Sequence, residues 1–117
     1  MKKKNQTRRH YDNFFVAGFV YWEAPLVFES MKVGETVELE REDDNKFDPY
    51  AVAIYYHGCK IGFVPRTNNH DLSKFLEMFH GDIFEARINS IDPTAHPDSR
   101  VGITVYIKYA DGKTEKK

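Results

Sequence analysis

Residues 51–64, AVAIYYHGCKIGFV, leave the backbone few options. Ala51 to Tyr56 is a run of strongly β-prone side chains, Lys60-Ile61-Gly62-Phe63-Val64 is a second, and His57-Gly58 stands between them. Two such runs around a glycine-containing pair predict a β-hairpin, because glycine reaches the positive φ that tight hairpin turns need. Pro65 has no N–H to give to a ladder and ends the second strand. Beyond it the period changes. Leu72, Phe75, Leu76 and Phe79 fall at i, i+3, i+4 and i+7, one face of an α-helix, with Asn68 or Asn69 available as its cap and Gly81 as its stop.

The rest of the chain reads as short strands. Thr36–Arg41 alternates polar and apolar residues, the period of a half-buried strand. Ile83–Ile91 and Val101–Tyr109 flank the turn-rich DPTAHPDSR. Phe14–Tyr21 reads as the first strand, with Gly18 marking a bulge or a close backbone approach. Between these, Ala24–Met31 is expected to form a helical turn with Pro25 near its start, and Val33-Gly34 a tight turn. About six strands with one or two short helices predict a mainly β fold, a small, partly open barrel of the OB-like or SH3-like kind. The 117 residues suffice for one core, so the expected organisation is a basic flexible tail at 1–12, one domain at 13–110 and a second flexible tail at 111–117.

Several functions are excluded by composition and spacing. One cysteine, Cys59, allows no internal disulfide and no four-ligand zinc site, which fits a reducing compartment. No run approaches the ~20 apolar residues of a membrane span. The apolar segment FFVAGFV after the basic leader is short and lacks a small-residue cleavage site, so a cytoplasmic protein is expected. Gly112-Lys113-Thr114 resembles the end of a phosphate-binding loop, but Ile107 stands where its first glycine belongs. A calcium loop starting at Asp43 fails likewise, with Asp48 at its sixth position and Ile54 at its twelfth. The five histidines are not spaced as metal pairs, and Cys59 beside His57 lacks a third catalytic partner. Neither an enzyme nor a cofactor is expected.

What remains is a set of aromatic and polar residues near strand ends. Tyr21 and Trp22 close the first apolar run, Phe47 and Asp48 sit in the loop EDDNKFDPYAV, and Arg66 follows Pro65. Exposed rings beside an arginine suit single-stranded nucleic acid, whose bases stack and whose phosphates pair with cations. Core packing is the competing explanation for the rings. Asp48-Pro49 and Asn45 could equally serve the turn alone, and Arg41 could pair with a loop carboxylate. Charge offers no global attraction for phosphate: residues 13–110 hold 9 basic and 15 acidic groups, net −6.

These residues also form a pattern. Gly18-Phe19-Val20-Tyr21-Trp22, Gly34–Leu39, the block Arg41-Glu42-x-x-Asn45-x-Phe47-Asp48-x-x-Ala51-Val52 and the block Ile61-Gly62-Phe63-Val64-Pro65-Arg66 together resemble a HIRAN domain across residues 13–109. The resemblance implies a modified OB-like barrel, of a kind found fused to Swi/Snf-class DNA translocases, fused to nucleases, or alone in bacteria. Fused eukaryotic members recognise the 3′ end of single-stranded DNA at remodelled replication forks. By that resemblance Asp48 accepts a hydrogen bond from the terminal 3′-hydroxyl, Tyr21 and Phe47 contact bases, and Arg66 meets phosphate. Trp22, from the aromatic pattern, and Arg41 are counted with them in the expected DNA-binding set. A 3′ single-stranded end is then the implied ligand, and a helicase or nuclease the implied protein partner. The alternative is a protein-interaction adaptor acting beside such an enzyme. Two departures stand out: Val20 where the DNA-binding members carry a basic residue, and Phe47 where tyrosine is common. With the acidic core, they imply weak and strongly salt-sensitive binding.

Overall fold

In the computed structural model, which describes residues 8–79 and 83–108, the elements run β1 (Arg8–Phe15), a 3-10 turn (Phe19–Tyr21), α1 (Ala24–Val27) continued by a 3-10 turn (Phe28–Ser30), β2 (Thr36–Arg41), β3 (Val52–Tyr56), β4 (Cys59–Phe63), α2 (Arg66–Phe79), β5 (Phe84–Ile91), a 3-10 turn (Pro97–Ser99) and β6 (Val101–Lys108). The hairpin forms as its sequence predicts. Tyr56 pairs with Cys59, and His57 and Gly58 both take positive φ, 48° and 82°, the combination that matches the twist of two joined strands.

All strand pairs are antiparallel, in the order β1-β6-β5-β2-β3-β4, so β1 and β4 are the ends of one sheet. The chain leaving β1 joins those ends. Val16 N–H still bonds to the Val101 carbonyl on the β6 side (2.9 Å), and the next residue, Ala17, exchanges two bonds with Phe63 of β4 (2.8 and 2.9 Å). One bridge therefore closes the sheet into a partly open barrel, the OB-like architecture expected. Glycine permits that closure. A Cβ on Gly62 would lie 2.4 Å from the Ala17 carbonyl oxygen and 2.5 Å from Val16 Cγ1, and its φ of 149° is one that side chains disfavour.

Inside the barrel, Val16, Val52, Ile54, Ile61, Ile103 and Val105 are fully buried. The apolar face of α2 covers one opening, burying Leu72 and Leu76 beside β2 and β3. Its Phe75 meets Tyr11 and Phe84 edge-on or tilted, at 6.3 and 6.2 Å between ring centroids.

The N-terminal elements differ from expectation. The first strand is not residues 14–21: β1 is the mostly polar RRHYDNFF, which takes only Phe14 and Phe15 of that run, and Arg8–Asp12, expected in a flexible tail, belong to it. An end strand paired on one side needs few buried residues, and here Phe14 alone is buried within the strand. The apolar residues that follow are instead divided by Gly18. In the left-handed conformation (φ 73°, ψ 22°), it turns the chain into the 3-10 segment, so Phe19 points inward while Val20, Tyr21 and Trp22 stay exposed. The helix, too, starts earlier, at Arg66, and Asn68 and Asn69 lie inside its first turn. The expected stop at Gly81, the end of the last strand at Tyr109, the tail at 111–117 and the Gly112-Lys113-Thr114 motif lie outside the described residues. Among the described residues no helix is long and apolar enough to cross a membrane.

Candidate nucleic-acid interface

The loop between β2 and β3 is held by its own side chains. Asn45 Oδ1 accepts from the N–H groups of Phe47 (2.8 Å) and Asp48 (2.9 Å), while its Nδ2 donates to Glu42 (3.1 Å). Asp48 Oδ1 accepts from Tyr50 N–H (2.9 Å), the next link of the same turn. Its Oδ2 accepts from Asn69 Nδ2 (2.9 Å), and the Arg66 Nε lies 3.6 Å from the same oxygen. Asn69 is almost fully buried, so Asp48 is oriented by a donor that cannot drift into solvent. Two consequences follow. The ring of Phe47 is pushed outward, 86% exposed. Each Asp48 oxygen, with a single hydrogen bond, retains acceptor capacity.

That carboxylate lines a pocket of about 540 Å³ together with Phe47, Asn45, Arg66 and Asn69 on one side and Ala17, Gly18, Trp22 and Phe63 on the other. The barrel-closing bridge thus forms part of its wall. Trp22 stands edge-on to Phe63, 5.6 Å between centroids, and the Lys60 ammonium lies 3.8 Å from the Trp22 centroid and 4.5 Å from that of Phe63. Lys60 also forms an ion pair with Glu42. Burial pushes the Glu42 carboxyl up, but the Lys60 and Asn45 hydrogen bonds and the Lys60 charge outweigh it and hold the group below the usual carboxylate range. Around the pocket two carboxylates, Glu42 and Asp48, face two cations, Lys60 and Arg66. Each carboxylate that lines the pocket is thus paired with a cation, within a domain whose net charge at residues 13–110 is −6.

Of the residues singled out from sequence, Trp22, Phe47, Asp48 and Arg66 converge here. Tyr21 does not enter the same pocket. It is 81% exposed and lines an adjoining groove of about 600 Å³ with Phe15, Pro65 and Thr67, and Ala17 and Gly18 are shared by the two cavities. Arg41 is directed elsewhere. Its Nε donates to Ser73 (3.0 Å) and its Nη1 pairs with Asp43, beside Leu76 and Glu77, so it belongs to the junction of β2 with α2. Successive side chains of extended backbone point to opposite sides, so Glu42 lines the pocket while its neighbour Arg41 turns to α2 and Asp43. Lys60, Glu42, Phe63 and Asn69 were not anticipated at the site. The signal for Lys60 was its place one residue after the hairpin turn's partner, opposite the chain that follows Trp22; only knowledge of the closure converts that into contact. Among the described residues no group of three or more His, Cys, Asp or Glu side chains is placed to hold a metal ion.

Comparison with known proteins agrees with this architecture. The HIRAN domain family matches residues 11–110. The crystal structure of a protein from Lactobacillus plantarum is similar over 87% of this chain and 97% of its own, with 18% identity and a TM-score of 0.73. The crystal structure of the HIRAN domain of human HLTF is similar over 93% of this chain and 87% of its own, with 15% identity and a TM-score of 0.57. No curated protein sequence matches. At these identities the structures attest the fold, while the family assignment rests on the match to 11–110, which takes in both sequence blocks and the pocket they build. The chain belongs to the HIRAN domain family.

Proposed function

We propose that the protein is a DNA-binding module without catalysis of its own, which holds the 3′-hydroxyl end of single-stranded DNA in the pocket between Trp22 and Phe47. One observation carries this reading: a carboxylate fixed by its own turn and by a buried amide, yet with acceptor capacity left, lines a pocket beside exposed rings and an arginine. A terminal hydroxyl can donate to Asp48, whereas a terminal phosphate would meet like charge there. Phe47 and Trp22 supply surfaces for the last bases, and Tyr21 extends them into the adjoining groove. The Arg66 side chain, 73% exposed, can turn from Asp48 towards a backbone phosphate. In this reading the turn-forming role of Asp48 and its ligand role are one arrangement, because the turn bonds aim the carboxylate. The context would be DNA repair or fork remodelling, beside a separate helicase or nuclease.

Fluorescence anisotropy with a short oligonucleotide ending in 3′-hydroxyl or 3′-phosphate tests this. The wild-type protein is expected to bind the hydroxyl end more tightly and Asp48→Asn to lose the preference, with a thermal melt run alongside to show that the variant is folded. Equal affinity of the wild type for both ends overturns the end-specific mechanism.

A further inference from the structure

Trp22 follows a 3-10 turn and precedes a four-residue helix, a setting that does not by itself hold a ring still. It is nevertheless held from several sides. Its neighbour Glu23 is joined to Lys60 twice, with Glu23 N–H donating to the Lys60 carbonyl (2.9 Å) and Lys60 N–H donating to Glu23 Oε1 (3.1 Å). The side chain of the same lysine then reaches back over the indole, 3.8 Å from its centroid, and stops at Glu42. A solvated ammonium gains little from a ring. This one is confined, its side chain only 16% exposed and that of Glu42 22%. Glu42 is in turn fixed by Asn45, whose other end sets the position of Phe47 and Asp48.

We propose that Lys60 is a positioning residue: tied to Glu42, it fixes the Trp22 ring as a rigid wall of the pocket, coupling that wall to the loop that presents Phe47 and Asp48. The role in ligand binding rests on the DNA-end reading above, but the positioning itself does not. A fixed ring loses less freedom when a base packs against it, so the lysine favours binding without touching the ligand. The attraction of an ammonium for an indole face is greatest when the ammonium is partly desolvated, as here. Methionine at position 60 keeps the apolar stem and removes the charge; arginine keeps a cation able to meet both the indole and Glu42.

Trp22 is the protein's single tryptophan, so its emission reports this wall directly. Lys60→Met is expected to shift the emission to the red and raise quenching by acrylamide, Glu42→Gln to do so partially, and Lys60→Arg to stay close to wild type. Affinity for a 3′-hydroxyl oligonucleotide should fall about tenfold in Lys60→Met and recover in Lys60→Arg. Unchanged emission and quenching in both Lys60→Met and Glu42→Gln would overturn the positioning role. A shifted emission with unaltered affinity would overturn the contribution to binding. If the wild type binds no oligonucleotide while the variants shift Trp22 as described, the positioning stands and the DNA-end reading fails.

Discussion

Replacing Gly62 by alanine tests the closure on which the pocket depends. The added Cβ would stand 2.4 Å from a backbone oxygen and 2.5 Å from a buried methyl group, and neither is the loose end of a flexible side chain. Relief requires the Ala17–Phe63 bridge to open or Val16 to leave its place in the core. The unfavourable φ of 149° contributes a further cost of about 1–3 kcal/mol. Overpacking contributes about 1–3 kcal/mol, so a total near 4 kcal/mol is expected, a large part of the ~5–15 kcal/mol that stabilises a domain. At roughly 4–8 °C per kcal/mol for a domain of this size, the melting temperature should fall by 15 °C or more. Gly58→Ala is the control. Its φ is also positive, 82°, but nothing lies within 4 Å of the added Cβ, so strain acts alone and the cost should be about 1 kcal/mol. Thermal and urea unfolding, followed by circular dichroism and by Trp22 emission, separates the two. If Gly62→Ala melts as Gly58→Ala does, the close approach of Ala17 to β4 is not a feature of the folded protein.

Phe47→Ala should leave stability within about 0.5 kcal/mol of wild type, because the ring is 86% exposed, while weakening a 3′-end oligonucleotide about tenfold or more through lost stacking. Melts and anisotropy on the same preparation check both halves. The pH profile of stability should be flat near neutrality and fall on the acid side. Glu85, held low by its Arg87 hydrogen bond against burial, and Glu42, held low against burial by Lys60 and Asn45, keep their stabilisation above the ordinary value of 4.5 and lose it as pH drops through their lower folded values. On the alkaline side Tyr56, raised above 10.0 by burial and by the hydrogen bond to Glu35, and Tyr11, raised by burial, stabilise the fold until pH climbs through their folded values. Urea midpoints between pH 3 and 11 measure both limbs.

The elements legible in the sequence were those whose signal is local. The 51–64 hairpin follows from two β-prone runs and a glycine turn, and α2 from the spacing of Leu72, Phe75 and Leu76. Thr36–Arg41 matches its strand at both ends because one face meets the core and the other meets water. The two sequence blocks likewise carried the family, and Phe47, Asp48 and Arg66, which lie in them, share a pocket with Trp22 from the Gly18–Trp22 segment. Where the expectation failed, hydrophobicity was a misleading guide: of the apolar run 14–21, Phe14 and Phe15 end the otherwise polar edge strand β1, Val16 and Phe19 are buried on either side of the turn at Gly18, and Val20 and Tyr21 are exposed.

Local pattern could not assign the contacts between segments far apart in the chain. Arg41 and Lys60 are both basic residues near strand ends, yet one is drawn to Ser73 and Asp43 and the other to Trp22 and Glu42. Asp48 and Asn69, 21 residues apart, meet only because α2 returns across the β2–β3 loop. Residue types and their order determined β2 to β6, α2 and the membership of the HIRAN family, but not β1. The closure at Ala17 and Phe63 decided which of those residues share a pocket, because a side chain's neighbours across a barrel depend on how the ends of the sheet meet, and that is set by the packing of the whole chain.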